Sequence, residues 1–551
     1  MLAAFLTLTL ALIASIYAEE TPREATWTDN TFGPDGPWRA VSVKMGNEES
    51  SIGLYPGSAW ESWLIEKRYC GKSSCYASKA GTYDKSSGIQ GGIQMSADLN
   101  GFMLGLQLEG KPGTRYLDRV WLNGAYADNV SLSLLESQQK IKYPGGQASP
   151  FFVGCLSLGG RRATNQSFSQ DNAPPINASL IPGWLWDHER TNSNSFGMHI
   201  GSVQPDIPGS LWFGGYDQNR VIGDVLSMDG GPRDGITLRD IGIDVVGSKS
   251  PFEFNSRDGL LASGNSSIGG RLKVLVDGCS PYFTLPKSTC DSIAAHLPVK
   301  FNEDLGLYIW DTKSDRYKQI INSASALSFS FISNSNTDPI KIRVPFMHLN
   351  LTLSAPLTDS PTPYFPCHSN GNGQYVLGRA FLQDAFIGAN WHPDIDTWWL
   401  AQAPGPNVEA TSNVITIGEK DKTVAKGGND WKVPWSGVWD EQEAPSSTPT
   451  PTTDNTNREG EGEVKSEDGK AGMSAGATAG IGIGIAVVVA TAGLGAFFFW
   501  RRRRNQAQPQ EAVAQPVETV DMSKWPPSYL SPQELPGHER QLPHRRFELP
   551  S

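Results

Sequence analysis

No Cys-x-x-Cys pair occurs among the six cysteines of this 551-residue chain. That spacing frames many zinc sites and dithiol redox centres, so its absence argues against both, and no metal or other cofactor is expected. Basic clusters are missing outside the C-terminal tail, and the net charge is −11. An acidic surface of this kind repels phosphate backbones, which argues against nucleic acid as a partner. Convincing amphipathic helices are scarce as well. The clearest runs from Lys287 to Leu297, with a Ser/Thr cap region and an apolar face of Ile293, Ala294 and Leu297.

Two long apolar runs lie near the ends. Residues 1–18 read as a secretory signal peptide: the apolar stretch starts beside Met1, ends at small Ala18 and is too short to span a bilayer. Residues 476–500 carry no charge over 25 positions. As a helix they would reach about 37 Å, against about 30 Å of hydrocarbon. Arg501–Arg504 follow directly, which places the tail in the cytosol and the body outside the cell or in a lumen. A lipid-anchor signal would end in its apolar tail, whereas 51 polar residues follow here. The expectation is a single-pass protein of the secretory pathway, at the plasma membrane or another endomembrane. Gly476, Gly480 and Gly484 have the small-xxx-small spacing that permits a homodimer of membrane helices.

An exported chain with six cysteines suggests disulfides. Cys70 and Cys75 enclose a short loop and form the first expected pair, with Cys290 and Cys367 the second; whether Cys155 and Cys279 pair or stay free is open. Asn-x-Ser/Thr sequons stand at Asn129, Asn165, Asn177, Asn265 and Asn350, all on the side expected to be lumenal, so a glycoprotein is expected.

Between about Ser42 and Ala403, short alternating or apolar runs are separated by Gly, Pro, Asn and Asp, as in Phe102–Leu108, Phe151–Leu158 and Ile340–Leu353. That pattern predicts an all-β body. Residues 404–475 are rich in Pro, Ser, Thr and charge and read as an extended, O-glycosylated stalk. Trp431, Trp435 and Trp439 interrupt it, either as a patch docking on the body or as a binding site.

Three separated segments resemble the pepsin-like aspartic protease family, in particular its fungal membrane-anchored members. They are Gly209–Asp217 (GSLWFGGYD), Lys273–Pro286 (KVLVDGCSPYFTLP), and Tyr375–Gly378 with the following FLQDAFIGANWHPDIDTWWLAQA. The resemblance implies a bilobal β fold with a central cleft, its lobes at 40–208 and 209–403. It further implies catalytic loops around Asp277 and around Leu54-Tyr55-Pro56-Gly57-Ser58, the latter beside the Cys70/Cys75 loop. Asp118–Gly124 is similar to the family's Asp-Gly-Ile-Leu-Gly-Leu-Gly segment, with Leu122 at its buried glycine. The chain departs from the family at the chemistry. No intact Asp-Thr-Gly or Asp-Ser-Gly is present; Tyr55 and Pro56 stand at the first loop's carboxylate and threonine positions, and Gly278 and Cys279 follow Asp277. No tyrosine lies between Tyr83 and Tyr116, where active relatives carry the flap tyrosine.

Aspartic proteolysis needs two carboxyls sharing one proton. Tyr55 is no substitute, and Glu61, beyond the loop glycine, is poorly placed to be one. Asp277 therefore reads as a vestigial candidate. The resulting expectation is a pseudo-protease ectodomain that binds a peptide or cell-wall ligand as receptor, sensor or scaffold. An active endopeptidase with atypical loops and a structural wall or adhesion protein are the alternatives. In the tail at 501–551, Pro526-Pro527-Ser528-Tyr529 matches the Pro-Pro-x-Tyr ligand of WW domains, so an adaptor or ubiquitin ligase is an expected partner.

Overall fold

The turn-punctuated apolar runs become strands in the computed structural model, which describes residues 21–47, 51–71, 75–88, 92–136, 139–170, 173–247, 249–333, 338–369 and 373–439. The signal sequence, residues 440–475 of the stalk, the membrane segment, the tail and its Pro526, Pro527 and Tyr529 lie outside these residues. Among the described residues no helix is long and apolar enough to cross a membrane.

Strands dominate, as the sequence predicts. A nine-stranded sheet in the N-terminal half includes Val41–Met45, Ser51–Gly57, Ser62–Ile65, Gly113–Leu122, Ala125–Leu135 and Gly154–Ser157. An eight-stranded sheet in the C-terminal half includes Ile236–Val245, Leu272–Val276, Ser325–Ile332, Ile340–Pro345 and Val376–Leu377. A six-stranded sheet joins the halves, because Ser195–His199 pairs with Ala385–Asn390, which pairs with Thr397–Gln402. Trp398 and Trp399 are fully buried in this last strand. The helix expected near 287–297 forms over Lys287–Ala294, with Thr289, Cys290 and Ile293 facing inward.

Each half repeats one device. Leu54–Gly57 runs parallel to Gly154–Ser157, with Tyr55 opposite Cys155. In the other half Leu275 and Val276 run parallel to Val376 and Leu377. A parallel neighbour hydrogen-bonds the strand to its last residue, so both loops leave their sheets in a fixed direction. The likeness assigned to Asp118–Gly124 therefore belongs elsewhere: the strand beside the first loop is Gly154–Ser157, within VGCLSLG. Asp118 is buried and accepts a hydrogen bond from the Tyr83 hydroxyl at 2.7 Å.

Three further expectations are corrected. The body begins before residue 40, since Arg23 and Glu24 pair with Phe213 and Trp212, and Trp27 bridges to Val41. It also continues past residue 403. Val414–Thr416 pairs with Gly215–Asp217, and Trp431, Trp435 and Trp439 pack with Ile222, Ala324 and Ala326. Trp435 and Trp439 stack at 5.0 Å, and the His348 ring meets Trp435 edge-on at 5.1 Å. The stretch 404–439 is a clasp on the body: Ile417 and Val424 pack with Tyr216, Val221 and Trp399, and the three tryptophans bury much area each. Lastly, of the run Phe102–Leu108 only the end is strand, within Gln107–Glu109; Met103 sits at φ 44°. Trp435→Ala is expected to cost about 3–5 kcal/mol by removing a fully buried indole; a loss below about 1 kcal/mol in urea unfolding would contradict the clasp.

Candidate functional site

The two loops meet where the repeated devices point. Gly57 and Gly278 are the points of closest approach: a Cβ on Gly57 would lie 2.7 Å from Asp277 Oδ1, and one on Gly278 would overlap the Pro56 carbonyl oxygen. A threonine at 278 has no room. The Cys155–Cys279 disulfide ties the second loop to the strand flanking the first, Cα to Cα 5.7 Å. The open question about these cysteines is thereby answered, and the Cys70–Cys75 and Cys290–Cys367 pairs form as expected.

Asp277 is fully buried. Burying a carboxylate is costly unless its oxygens are hydrogen-bonded, and both are served. Oδ1 accepts from the Ser58 amide and the Ser58 hydroxyl, both at 3.1 Å, and from the Cys279 amide at 3.3 Å. Oδ2 accepts from the Leu104 amide at 3.4 Å. Ser280 Oγ lies 3.2 Å from Oδ2 but 2.7 Å from the Leu104 carbonyl oxygen, so its single proton serves the nearer acceptor. Arg233 supplies the closest positive charge, 4.0 Å from Oδ2. Its Nε donates to Ser58 Oγ at 3.2 Å, which leaves the Ser58 proton directed at Asp277.

Tyr55, which the sequence likeness sets at the first loop's carboxylate position, makes no hydrogen bond to Asp277. Its hydroxyl is buried and has no hydrogen-bond partner. Burial pushes the phenol well above its ordinary range. The ring instead carries the Arg379 guanidinium, 3.8 Å from its centroid. Arg379 donates to the carbonyls of Gly278 at 3.1 Å and Cys279 at 2.9 Å, fastening the second loop from beneath. Asp35 balances that charge, its Oδ1 3.8 Å from Arg379 Nη2 and accepting from Trp38 Nε1 at 2.9 Å. Burial raises the Asp35 carboxyl above its usual range, with Arg379 opposing.

Glu61 is engaged by partners of its own. It pairs with Arg115 Nε at 2.8 Å and accepts from the Ser133 hydroxyl. Among the described residues no group of three or more His, Cys, Asp and Glu side chains could hold a metal ion. Of the sequon residues, Asn165 and Asn177 are exposed. Asn129 Nδ2 donates to the Asn177 carbonyl at 2.7 Å, Asn265 Nδ2 to Ser288 at 3.2 Å, and Asn350 Oδ1 accepts from Tyr317 at 3.0 Å. Asp35, Leu104, Arg233 and Arg379 escaped the sequence reading. Arg379 alone left a trace, directly after the Val-Leu-Gly that crosses beneath the Asp277 loop.

Two β lobes joined by a shared sheet, each presenting a loop toward a buried aspartate, define the bilobal aspartic-protease class. The model of the family described as eukaryotic aspartyl protease matches residues 54–394, and the chain belongs to that family. A similar solved structure is the aspartic proteinase from Irpex lacteus, 12% identical, with a TM-score of 0.42 and coverage of 71% of this chain and 100% of the other. No curated protein matches the chain.

The two sides of the centre respond differently to substitution. Arg379→Met leaves buried Asp35 without its charge partner and is expected to cost about 3–5 kcal/mol. Tyr55→Phe removes an unpartnered buried hydroxyl and is expected to fall within about 1 kcal/mol of the parent, on the stabilising side. Chemical denaturation of both variants checks this; a strongly destabilised Tyr55→Phe would show that the phenol has a hydrogen-bonding role.

Proposed function

We propose that this protein is a non-catalytic member of its family, carried as a single-pass membrane glycoprotein, whose ectodomain binds a peptide or cell-wall ligand as receptor, sensor or scaffold. The observation that carries this reading is the surroundings of buried Asp277, whose neighbours at hydrogen-bonding distance are Ser58, Cys279, Leu104 and Ser280, with no second carboxyl among them. The reaction requires a pair of acids that hold one proton between them, the ionised one taking a proton from water and the other polarising the peptide carbonyl. A phenol whose unperturbed pKa is about 10 stays neutral, and burial strengthens that state. Asp277 meanwhile spends its oxygens on Ser58, Cys279 and Leu104.

The anchoring half of the proposal rests on the apolar span 476–500 followed by Arg501–Arg504, and on sequons confined to the other side. The Pro526-Pro527-Ser528-Tyr529 motif supports a WW-domain partner in the cytosol. An active endopeptidase is favoured by the surviving Asp277 and the paired loops. Against it, Glu61 and Asp35 are each committed to an arginine.

Purified protein incubated with denatured casein at acid pH is expected to yield no cleavage above buffer, with Asp277→Asn indistinguishable from the parent. Pepstatin-sensitive cleavage that disappears in Asp277→Asn would falsify the proposal.

A further inference from the structure

We infer that the free edge of strand Ile340–Pro345 is a peptide-binding site: an extended segment with an acidic residue opposite Lys341 adds there as a further strand, in a pocket that the clasp completes. The site is separate from Asp277, since the strands Ser325–Ile332 and Ile236–Val245 lie between it and Leu272–Val276. It goes beyond the non-catalytic reading and does not depend on it.

Ile340–Pro345 ends the eight-stranded sheet and pairs on one side with Ser325–Ile332. On the other side Arg343 is already served. The Gln402 side chain accepts from the Arg343 amide at 2.7 Å and donates to the Arg343 carbonyl at 3.1 Å, in the place of a neighbouring strand's peptide group. Backbone groups point alternately to the two sides of an antiparallel strand. Lys341, two residues before Arg343, turns its N–H and C=O the same way, and among the described residues they meet no partner there. The free stretch is short, because Pro339 and Pro345 bound it and have no N–H to offer.

A pocket of about 280 Å³ opens at this point. Lys341 and Arg343 line one wall, and Ile222 and Asp224, from the end strand Ile222–Asp229 of the six-stranded sheet, line another. The clasp adds Asn429 and Trp431, and is held in place there by the Gly223 amide donating to the Gly428 carbonyl at 2.8 Å. Trp431 is only 6% exposed, and its Nε1–H has no acceptor among the described residues. A buried donor left unpaired is costly, and a peptide carbonyl is the kind of group that satisfies it. Strand addition supplies such groups: main-chain bonds hold the peptide and side chains select it.

The charges choose the side chain. Residues 341 and 343 stand on the same face of the strand. Arg343 donates through Nε to Asp244 at 3.2 Å, and its Nη groups have no acceptor among the described residues. Lys341 Nζ makes only long contacts, 3.4 Å to Asp258 and 3.6 Å to Asp244. On the far wall Asp224 is matched by Lys426 at 3.2 Å. A carboxylate opposite Lys341 meets both cations as a cross-strand pair, whereas a basic residue there meets like charge.

The probe is an amidated Val-Glu-Val peptide carrying a dye on an N-terminal Gly-Gly linker, titrated into full-length protein in detergent and read by fluorescence anisotropy. The parent should bind it about fivefold more tightly than the Val-Lys-Val analogue, and binding should slow amide hydrogen exchange of segment 340–343 by about tenfold or more. Lys341→Pro deletes the outward N–H, a change that edge strands tolerate. It should weaken binding by about tenfold or more, because the peptide carbonyl facing it loses its donor. Arg343→Gln keeps every backbone group and should erase most of the preference for Glu over Lys; it serves if Lys341→Pro does not fold. No binding by the parent, undiminished binding by Lys341→Pro, a preference absent in the parent or unchanged in Arg343→Gln, or binding without protection of 340–343 each overturns the inference. So does self-association of the parent that Lys341→Pro abolishes, since a second copy would then occupy the edge. None of these results bears on the casein assay.

Discussion

A carboxylate removed from water has to be surrounded by donors, and that requirement at Asp277 organises the centre of this molecule. Four donors serve its two oxygens, and they come from three separate parts of the chain: the first loop, the second loop itself and the turn at Leu104. Each must be held at hydrogen-bonding distance at once. The parallel strand pairs aim the loops, the two glycines let them touch, and Arg379 fastens the second loop by its carbonyls. Tyr55, in the strand that carries the first loop, is a buried phenol whose hydroxyl has no hydrogen-bond partner. It also provides a flat face on which the Arg379 guanidinium rests.

The same centre is tied across the halves of the body. The Cys155–Cys279 disulfide joins positions 124 residues apart, and closing so long a loop restricts the unfolded chain strongly. Arg161 bridges Asp234 and Asp396 at 2.9 and 2.6 Å, and the turn near Gly145 hydrogen-bonds to the Asp304 carbonyl at 2.9 Å. Tyr143 and Tyr282 meet hydroxyl to hydroxyl at 3.1 Å in a buried setting. The two halves of the body are thus held to each other by covalent, ionic and hydrogen-bonded links. A protein of this build is suited to holding a geometry.

How much could be read beforehand follows from which interactions are local. The β body, the helix after Leu285-Pro286, the Asp277 loop and its crossing Val-Leu-Gly are set by patterns within a few residues, and they were legible. The Cys155–Cys279 pair, Asp35 beneath Arg379 and Leu104 over Asp277 join positions more than 100 residues apart, and no local pattern encodes such distances. The Asp118 likeness misled because Asp-x-x-x-x-x-Gly is cheap to match, whereas the real neighbour of the first loop lacks the aspartate. The stalk was drawn too long because 404–439 has the composition of a linker, and three tryptophans outweigh it by area alone.

The central claim is that Asp277 is a lone acid enclosed by hydroxyls, amides and one arginine. An atomic-resolution crystal structure of the protein at acid pH addresses it directly. The account predicts Ser58 and the Leu104 amide on the Asp277 oxygens, Arg379 lying on the Tyr55 ring, and no other carboxyl within about 5 Å, the range over which such groups govern each other's protonation. A water held between Asp277 and a second Asp or Glu side chain would contradict it.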